Sequence, residues 1–140
     1  MFGDSGFGAS VNYTMVDSDI AYDNASAGEQ FAIVGLSDSA NIVAFYEKHG
    51  WLARVAWNWR DDFLTSTCCG GVGQLNPTYV EDYQQVDAIV SYSFENGVTV
   101  FAEGFNLTDE YSRVYGRNKD MVRFITQTGP RYGLGVRWTY

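Results

Sequence analysis

Apolar and polar residues take turns along much of this chain, and the alternation recurs in six separate stretches. In the first, Phe7, Ala9, Val11, Tyr13 and Met15 oppose Gly8, Ser10, Asn12 and Thr14, which is the period of a strand with one apolar face. The second reads ANIVAFYEK over 40–48, its alternation blurred because Val43 and Phe45 are also apolar. The third, over 51–63, is sharper: Trp51, Ala53, Val55, Trp57 and Trp59 face away from Leu52, Arg54, Ala56, Asn58 and Arg60. The fourth sets Val86, Ala88, Val90, Tyr92 and Phe94 against Gln85, Asp87, Ile89, Ser91 and Ser93. The fifth, VTVFAEGF at 98–105, is apolar on both parities apart from Thr99 and Glu103. The sixth ends at Tyr140, with Tyr132, Leu134, Val136 and Trp138 opposing Gly133, Gly135, Arg137 and Thr139, and its upper part is expected to begin as early as Met121.

The connections separate into two kinds. His49-Gly50 and Glu95–Gly97 read as tight hairpin turns, with glycine supplying positive φ. The links over 18–39, 64–83 and 107–120 are long, polar and acidic. Short and long connections therefore alternate strictly, which predicts an all-β, antiparallel, up-and-down meander of about six strands. A transmembrane barrel is built this way, with short turns on one side of the membrane and long loops on the other. Trp51 and Trp59 lie eight residues apart on the apolar parity, about 26 Å along an extended strand. That matches a lipid-facing band edged by aromatic girdles, on which a mid-membrane arginine costs about 2–4 kcal/mol. Arg54, Arg60 and Arg137 all take the opposite parity. The competing expectation is a soluble sheet with its apolar side packed on a second layer. No stretch of helical period is present to supply that layer.

Composition sharpens the picture. An aromatic share of 16% with 15 Gly and only 2 Pro suits strands and turns, and 140 residues is the size of one ordinary domain. The net charge is −8 and the 9 Lys and Arg form no run, which argues against nucleic acid as a partner. No apolar run of transmembrane-helix length exists, and the first ten residues lack the basic start and apolar core of a signal peptide. The mean hydropathy of −0.20 does not bear on a barrel, whose strands alternate.

Other constellations point to little chemistry. Cys68 and Cys69 are adjacent and cannot staple distant segments; two readings stay open, incidental loop residues or a strained vicinal disulfide. Without a nearby His they do not make a zinc site. Asp17, Asp19 and Asp23 lack the glycine turn and distal glutamate of a calcium loop and read as a solvated acidic loop. Asp61 with Asp62, and Glu81 with Asp82, are neighbours that point to opposite faces of a strand, so they do not converge for glycoside chemistry. The chain is expected not to be an enzyme and to need no cofactor or metal. Asn106, Thr108 and Asp109 are expected to end the fifth strand through local side-chain to backbone bonds.

The stretches FAEGFNLTDEYSRVYGRN at 101–118 and TGPRYGLGVRWTY at 128–140, after NYTMVDSD, LSDSANIVAFYEKHGWLARVAWNWRDDFL and VDAIVSYSF in that order, resemble the C-terminal end of TonB-dependent outer-membrane receptors. The resemblance covers essentially the whole chain, and it lies nearest a branch with oligosaccharide importers among its members. It implies that residues 1–140 are the last six strands of a much larger barrel, without the plug domain, the TonB-contacting segment or the earlier strands. Such a piece would not transport on its own. The implied partners are outer-membrane lipid, the barrel assembly machinery, the TonB complex through the missing plug, and a nutrient ligand, with an oligosaccharide favoured over an iron chelate. Gly135, Trp138 and Tyr140 match three anchors of the family's C-terminal assembly signal, while Gly133 departs from its polar anchor. Contacts to a ligand would come from the outer strand ends and loops, where this topology places Trp59, Arg60, Asp61, Tyr111, Arg113, Tyr115 and Arg117. A second expectation is a self-contained β-sheet binding module, or an oligomeric barrel that closes its edges between subunits.

Overall fold

Strand pairing organises the chain from end to end. The computed structural model describes residues 3–26, 30–67 and 76–140; the adjacent cysteines Cys68 and Cys69 lie outside the described residues. Ten strands follow in order: β1 Phe7–Thr14, β2 Ser39–Lys48, β3 Trp51–Arg60, β4 Phe63–Ser66, β5 Thr78–Val80, β6 Tyr83–Ser93, β7 Val98–Phe105, β8 Tyr111–Tyr115, β9 Val122–Gln127 and β10 Arg131–Trp138. A six-stranded sheet has the order β1-β2-β3-β6-β7-β10, and a four-stranded sheet the order β4-β5-β8-β9. All pairings are antiparallel, and neither sheet closes into a barrel.

The six alternating stretches supply the large sheet, and its ladders run without a register shift. Directly paired residues share a face, so the register sorts the side chains. One row crosses Phe7, Tyr46, Ala53, Val90, Ala102 and Leu134, and the next crosses Ala9, Ala44, Val55, Ala88, Gly104 and Tyr132. All four tryptophans of the sequence lie on this face, and its one charged strand residue is Lys48, paired with Trp51 at the turn end. The opposite face carries rows such as Gly8, Phe45, Arg54, Ile89, Glu103 and Gly133. Arg54, Arg60 and Arg137 all fall there, as the parity of the sequence requires.

The tight turns form as expected, with one addition. His49 has φ 53° and Gly50 φ 80°, so both residues of the two-residue loop are left-handed, the backbone of a type I′ hairpin. Sequence reasoning assigned this conformation to the glycine alone. In the other turn the Phe94 N–H donates to the Val98 carbonyl at 2.7 Å.

Three boundaries differ from expectation. The sixth strand starts at Arg131, not near Met121; Val122–Gln127 is a separate strand, β9, in the smaller sheet. Gly129 at φ 69° and Pro130, which has no N–H to donate, interrupt the ladder between them. The third stretch breaks after Arg60 at Asp61 and Asp62, and β4 resumes at Phe63. The long links are also not plain loops, because they carry β4, β5, β8 and β9. Arg60 pairs with Tyr83 and Phe63 with Val80, while Phe105 pairs with Arg131 and Tyr111 with Gln127. The small sheet thus continues the β3/β6 and β7/β10 hairpins past the long-loop edge of the large one.

Burial is unequal between the two sheets. Of the buried hydrophobic residues Val43, Leu64, Val114 and Tyr115, three belong to the small sheet. The apolar face of the large sheet is open: Val11 is 67% exposed, Leu134 87% and Val136 71%. Its polar face holds a different device at the margins. The Phe45 ring lies on Gly8, where an added Cβ would stand 2.2 Å from Cζ, and the Phe101 ring lies on Gly135 at the same distance. In both pairs a glycine of an edge strand makes room for the ring of its inner neighbour.

Gly135→Ala should therefore displace the Phe101 ring and destabilise the folded chain by about 1–3 kcal/mol. Urea unfolding in detergent micelles, followed by tryptophan fluorescence, reads this directly. The double variant with Phe101→Ala should show a smaller loss on adding the Gly135 methyl. An unchanged midpoint for Gly135→Ala would show that the ring does not depend on the space this glycine leaves.

Candidate functional site

The polar face of the large sheet is built from the non-apolar parity of β2, β3, β6 and β7, and it encloses a concavity of about 320 Å³ lined in part by Asn41, Arg54, Asn58, Asp87, Glu103 and Phe105. Asn41 Nδ2 donates to Asn58 Oδ1 at 2.6 Å. Tyr83 Oη donates to Gln85 Oε1 at 2.7 Å, and Gln85 Nε2 to Asp87 Oδ1 at 2.6 Å. These bonds tie amide and carboxylate groups together on the long-loop half of the face, along β6 and between β2 and β3. Arg54 and Glu103 occupy one cross-strand row with Ile89 between them, and they form no ion pair with each other (the ion pairs among the described residues are Arg113 with Glu81 and Lys119 with Asp62). The surface so formed is polar and of mixed charge.

Where the large sheet passes into the small one, a single side chain ties the segments together. Asn106, only 2% exposed and at φ 54°, gives its N–H to Asp87 Oδ1 at 2.9 Å. Its Nδ2 donates to the Glu110 carbonyl at 2.9 Å and its Oδ1 accepts from the Glu110 N–H at 2.9 Å. The Asp109 N–H returns to the Asn106 carbonyl at 3.0 Å, and Thr108 Oγ1 reaches the Gln84 carbonyl at 3.4 Å. Of the local side-chain to backbone bonds expected of Asn106, Thr108 and Asp109, the structure shows those of Asn106; Thr108 bonds across to Gln84 instead, and Asp109 Oδ1 accepts from Gln127 Nε2 at 3.1 Å. Burial raises the Glu110 carboxyl above the ordinary range, and the charges of Asp82 and Glu81 push the same way.

The residues expected to meet a ligand divide by what they touch. Arg113 is spent on structure: its Nη1 pairs with Glu81 at 3.0 Å and its Nη2 donates to the Lys119 carbonyl at 2.7 Å. Tyr115 is buried, stacks on Tyr79 with ring centroids 5.3 Å apart, and donates to Asp62 Oδ2 at 3.0 Å. Burial and that carboxylate push its phenol well above the usual range. Arg117 binds the carbonyls of Asn24 and Ser26, the latter at 2.9 Å, and so fastens the first long loop to the turn after β8. Arg60 lays its guanidinium over the Phe63 ring, 4.4 Å from the centroid. Asp61 and Tyr111 are exposed, and Trp59 ends the apolar face beside Ala40 and Gln84. Through Asp62 the structure brings the Trp59, Arg60 and Asp61 segment to Tyr115, and Lys119, which pairs with Asp62 at 3.5 Å and gives its carbonyl to Arg113, links Arg113 to the same group.

The terminal strand also takes definite places. Gly135 lies under Phe101, Trp138 pairs with Val98, and the Trp138 and Tyr140 rings sit 5.9 Å apart. Sequence reasoning put Arg54 and Asn58 on the polar parity but named none of Asn41, Arg54, Asn58 and Glu103 as a candidate contact. Comparison with protein-family models, with curated proteins and with solved structures finds no match for this chain.

Two outcomes follow for the junction. Asn106→Ala removes the partners of the Glu110 N–H and carbonyl, and should cost about 2–4 kcal/mol in urea unfolding. The raised pKa of Glu110 means that the folded state holds its proton more tightly than the unfolded state. The contribution of Glu110 to stability should then be fully present below the ordinary glutamate pKa of about 4.3 and be lost as pH rises through the folded value. Glu110→Gln should flatten that decline in a pH series of unfolding midpoints.

Proposed function

We propose that this chain is a C-terminal wall segment of an outer-membrane receptor barrel of the TonB-dependent class, which takes up a scarce nutrient with energy delivered from the inner membrane. The observation that carries this reading is the large sheet: six antiparallel strands in meander order, with one face free of charge outside its turn end and the other polar. Strands of 8 to 11 residues suit a tilted membrane crossing, which takes about 9–11. The aromatic pairs Phe7 with Tyr46, Trp51 with Tyr92, and Trp138 with Tyr140 line the short-turn edge of the apolar face, where a girdle belongs. The long-loop edge carries the small sheet, in the place where such receptors present their outer loops.

On this reading the apolar face meets outer-membrane lipid and the polar face lines the interior. The 140 residues make part of a wall and transport nothing alone. An oligosaccharide is the favoured cargo: the outer strand ends and loops offer tyrosine rings for stacking and Asp61 and Arg60 for hydroxyl groups. The last strand would be read by the assembly machinery through strand addition.

All four tryptophans share the apolar face, so lipid contact has a direct optical readout. The chain refolded into phosphatidylcholine vesicles with brominated acyl chains should show strongly quenched tryptophan emission compared with unbrominated vesicles. A detergent-free, stable, monomeric chain with a cooperative melt and no quenching would overturn the assignment.

A further inference from the structure

The concavity on the polar face holds two charged groups that the fold leaves unspent. Arg54 and Glu103 stand in one cross-strand row with Ile89 between them. Their strands, β3 and β7, lie one on either side of β6, which sets the two backbones about 10 Å apart. Among the described residues neither side chain has a hydrogen-bond or ion-pair partner. Gly133 helps to keep them apart: an added Cβ there would stand 2.7 Å from Glu103 Oε1, so the carboxylate leans over the bare backbone of β10, on the side away from Arg54. The glycine that departs from the polar anchor of the assembly signal thus has a local use.

Donors and acceptors are interleaved around that gap. Asp87 Oδ1 is taken by the Gln85 amide and the Asn106 N–H, which leaves its Oδ2 without a partner among the described residues. The Asn41–Asn58 bond uses one donor and one acceptor, so Asn41 Oδ1 can still accept and Asn58 Nδ2 can still donate. Ala56 and Ile89 form an apolar floor, and Phe105, 41% exposed, stands at its edge on the same face. A hydroxyl group donates and accepts at once, so a polyol can serve the guanidinium, the amides and the carboxylates together. The C–H face of a sugar ring suits the floor and the Phe105 ring. Two carboxylates against one guanidinium disfavour an anion, and about 320 Å³ is at the small end of the roughly 300–1,000 Å³ of small-molecule sites.

We propose that this concavity binds a single neutral pyranose unit, with Arg54 and Glu103 holding its hydroxyl groups from opposite sides, Asn58 and Asp87 closing the long-loop side, and Phe105 against the ring. The proposal deepens the nutrient-uptake reading above and rests on it for the cargo class. Its site shares no residue with the strand-end and loop positions considered for ligand contact. One open wall gives up much of its contact energy to the cost of association, so binding to this chain alone is weak, in the millimolar range.

The isoleucines Ile20, Ile33, Ile42, Ile89 and Ile125 give the test its reporters. Ile89 lies in the concavity, Ile42 on the apolar face, Ile125 in β9, and Ile20 and Ile33 in the first long loop. Methyl NMR of the full 140-residue chain, labelled at isoleucine δ1 and held in a detergent without a sugar headgroup, is followed while cellobiose, maltose or lactose is added. The Ile89 signal should move saturably with at least one of these sugars while Ile42 stays fixed. Arg54→Gln and Glu103→Gln should each weaken that response by about fivefold or more and leave the other four signals at their wild-type positions. Gallium citrate, a diamagnetic stand-in for an anionic iron chelate, should leave Ile89 still; an equal shift with it would overturn the neutral ligand class. Shifts confined to Ile20, Ile33 or Ile125 would put the sugar at the loops, overturning this site and leaving nutrient binding in place. No movement with any of the three sugars would overturn the site, while the barrel wall is decided separately by the brominated-lipid quenching.

Discussion

The large sheet depends on one constraint, the unbroken register of its five ladders. With a side-chain period of two, a single-residue slip in any strand would carry its whole apolar set to the polar face. β3 shows the stakes: a slip would exchange Trp51, Val55, Trp57 and Trp59 for Leu52, Arg54, Asn58 and Arg60. Register is held at one end by a two-residue turn that admits no length variation. At the other end it is held by side chains, above all Asn106 and the Asn41–Asn58 bridge.

Asn106 also explains how two sheets can follow one another without a linker. A strand that merely stopped would leave buried backbone groups unpaired, at a cost of about 1–3 kcal/mol each. The side-chain amide instead acts as an extra peptide group, accepting from and donating to Glu110 while the main chain turns. β8 then resumes the direction of β7 beside β5 and β9. The small sheet can have its own buried residues, Val114, Tyr115 and Leu64, while the large sheet leaves its apolar face open.

Much of this was legible in the sequence, and the reasons are physical. The six main strands and both tight turns follow from alternation and glycine placement, because a half-apolar strand and a left-handed turn each leave a local signature. The local role of Asn106 was also readable from residue type. The small sheet was not, since strands such as β5, of only 3 residues, are too short to show a period. The break at Pro130 could have been anticipated, but the apolar Val122, Phe124 and Ile125 invited extension of the last strand across it. At the long-loop end, Arg113, Tyr115 and Arg117 have the residue types of a binding loop, and composition alone does not distinguish a group offered to a ligand from one spent on Glu81, Asp62 or a loop carbonyl.

The glycines beneath Phe45 and Phe101 have a bearing on time as well as shape. Edge ladders are where a sheet frays, since water reaches their hydrogen bonds from the open side. At both margins an aromatic ring lies flat over the backbone of the outermost strand on the wet face and shields part of that last ladder. A sheet sealed in this way keeps β1 and β10 extended and in register at its two margins, so that opening of either edge ladder is slowed on the side where the ring lies.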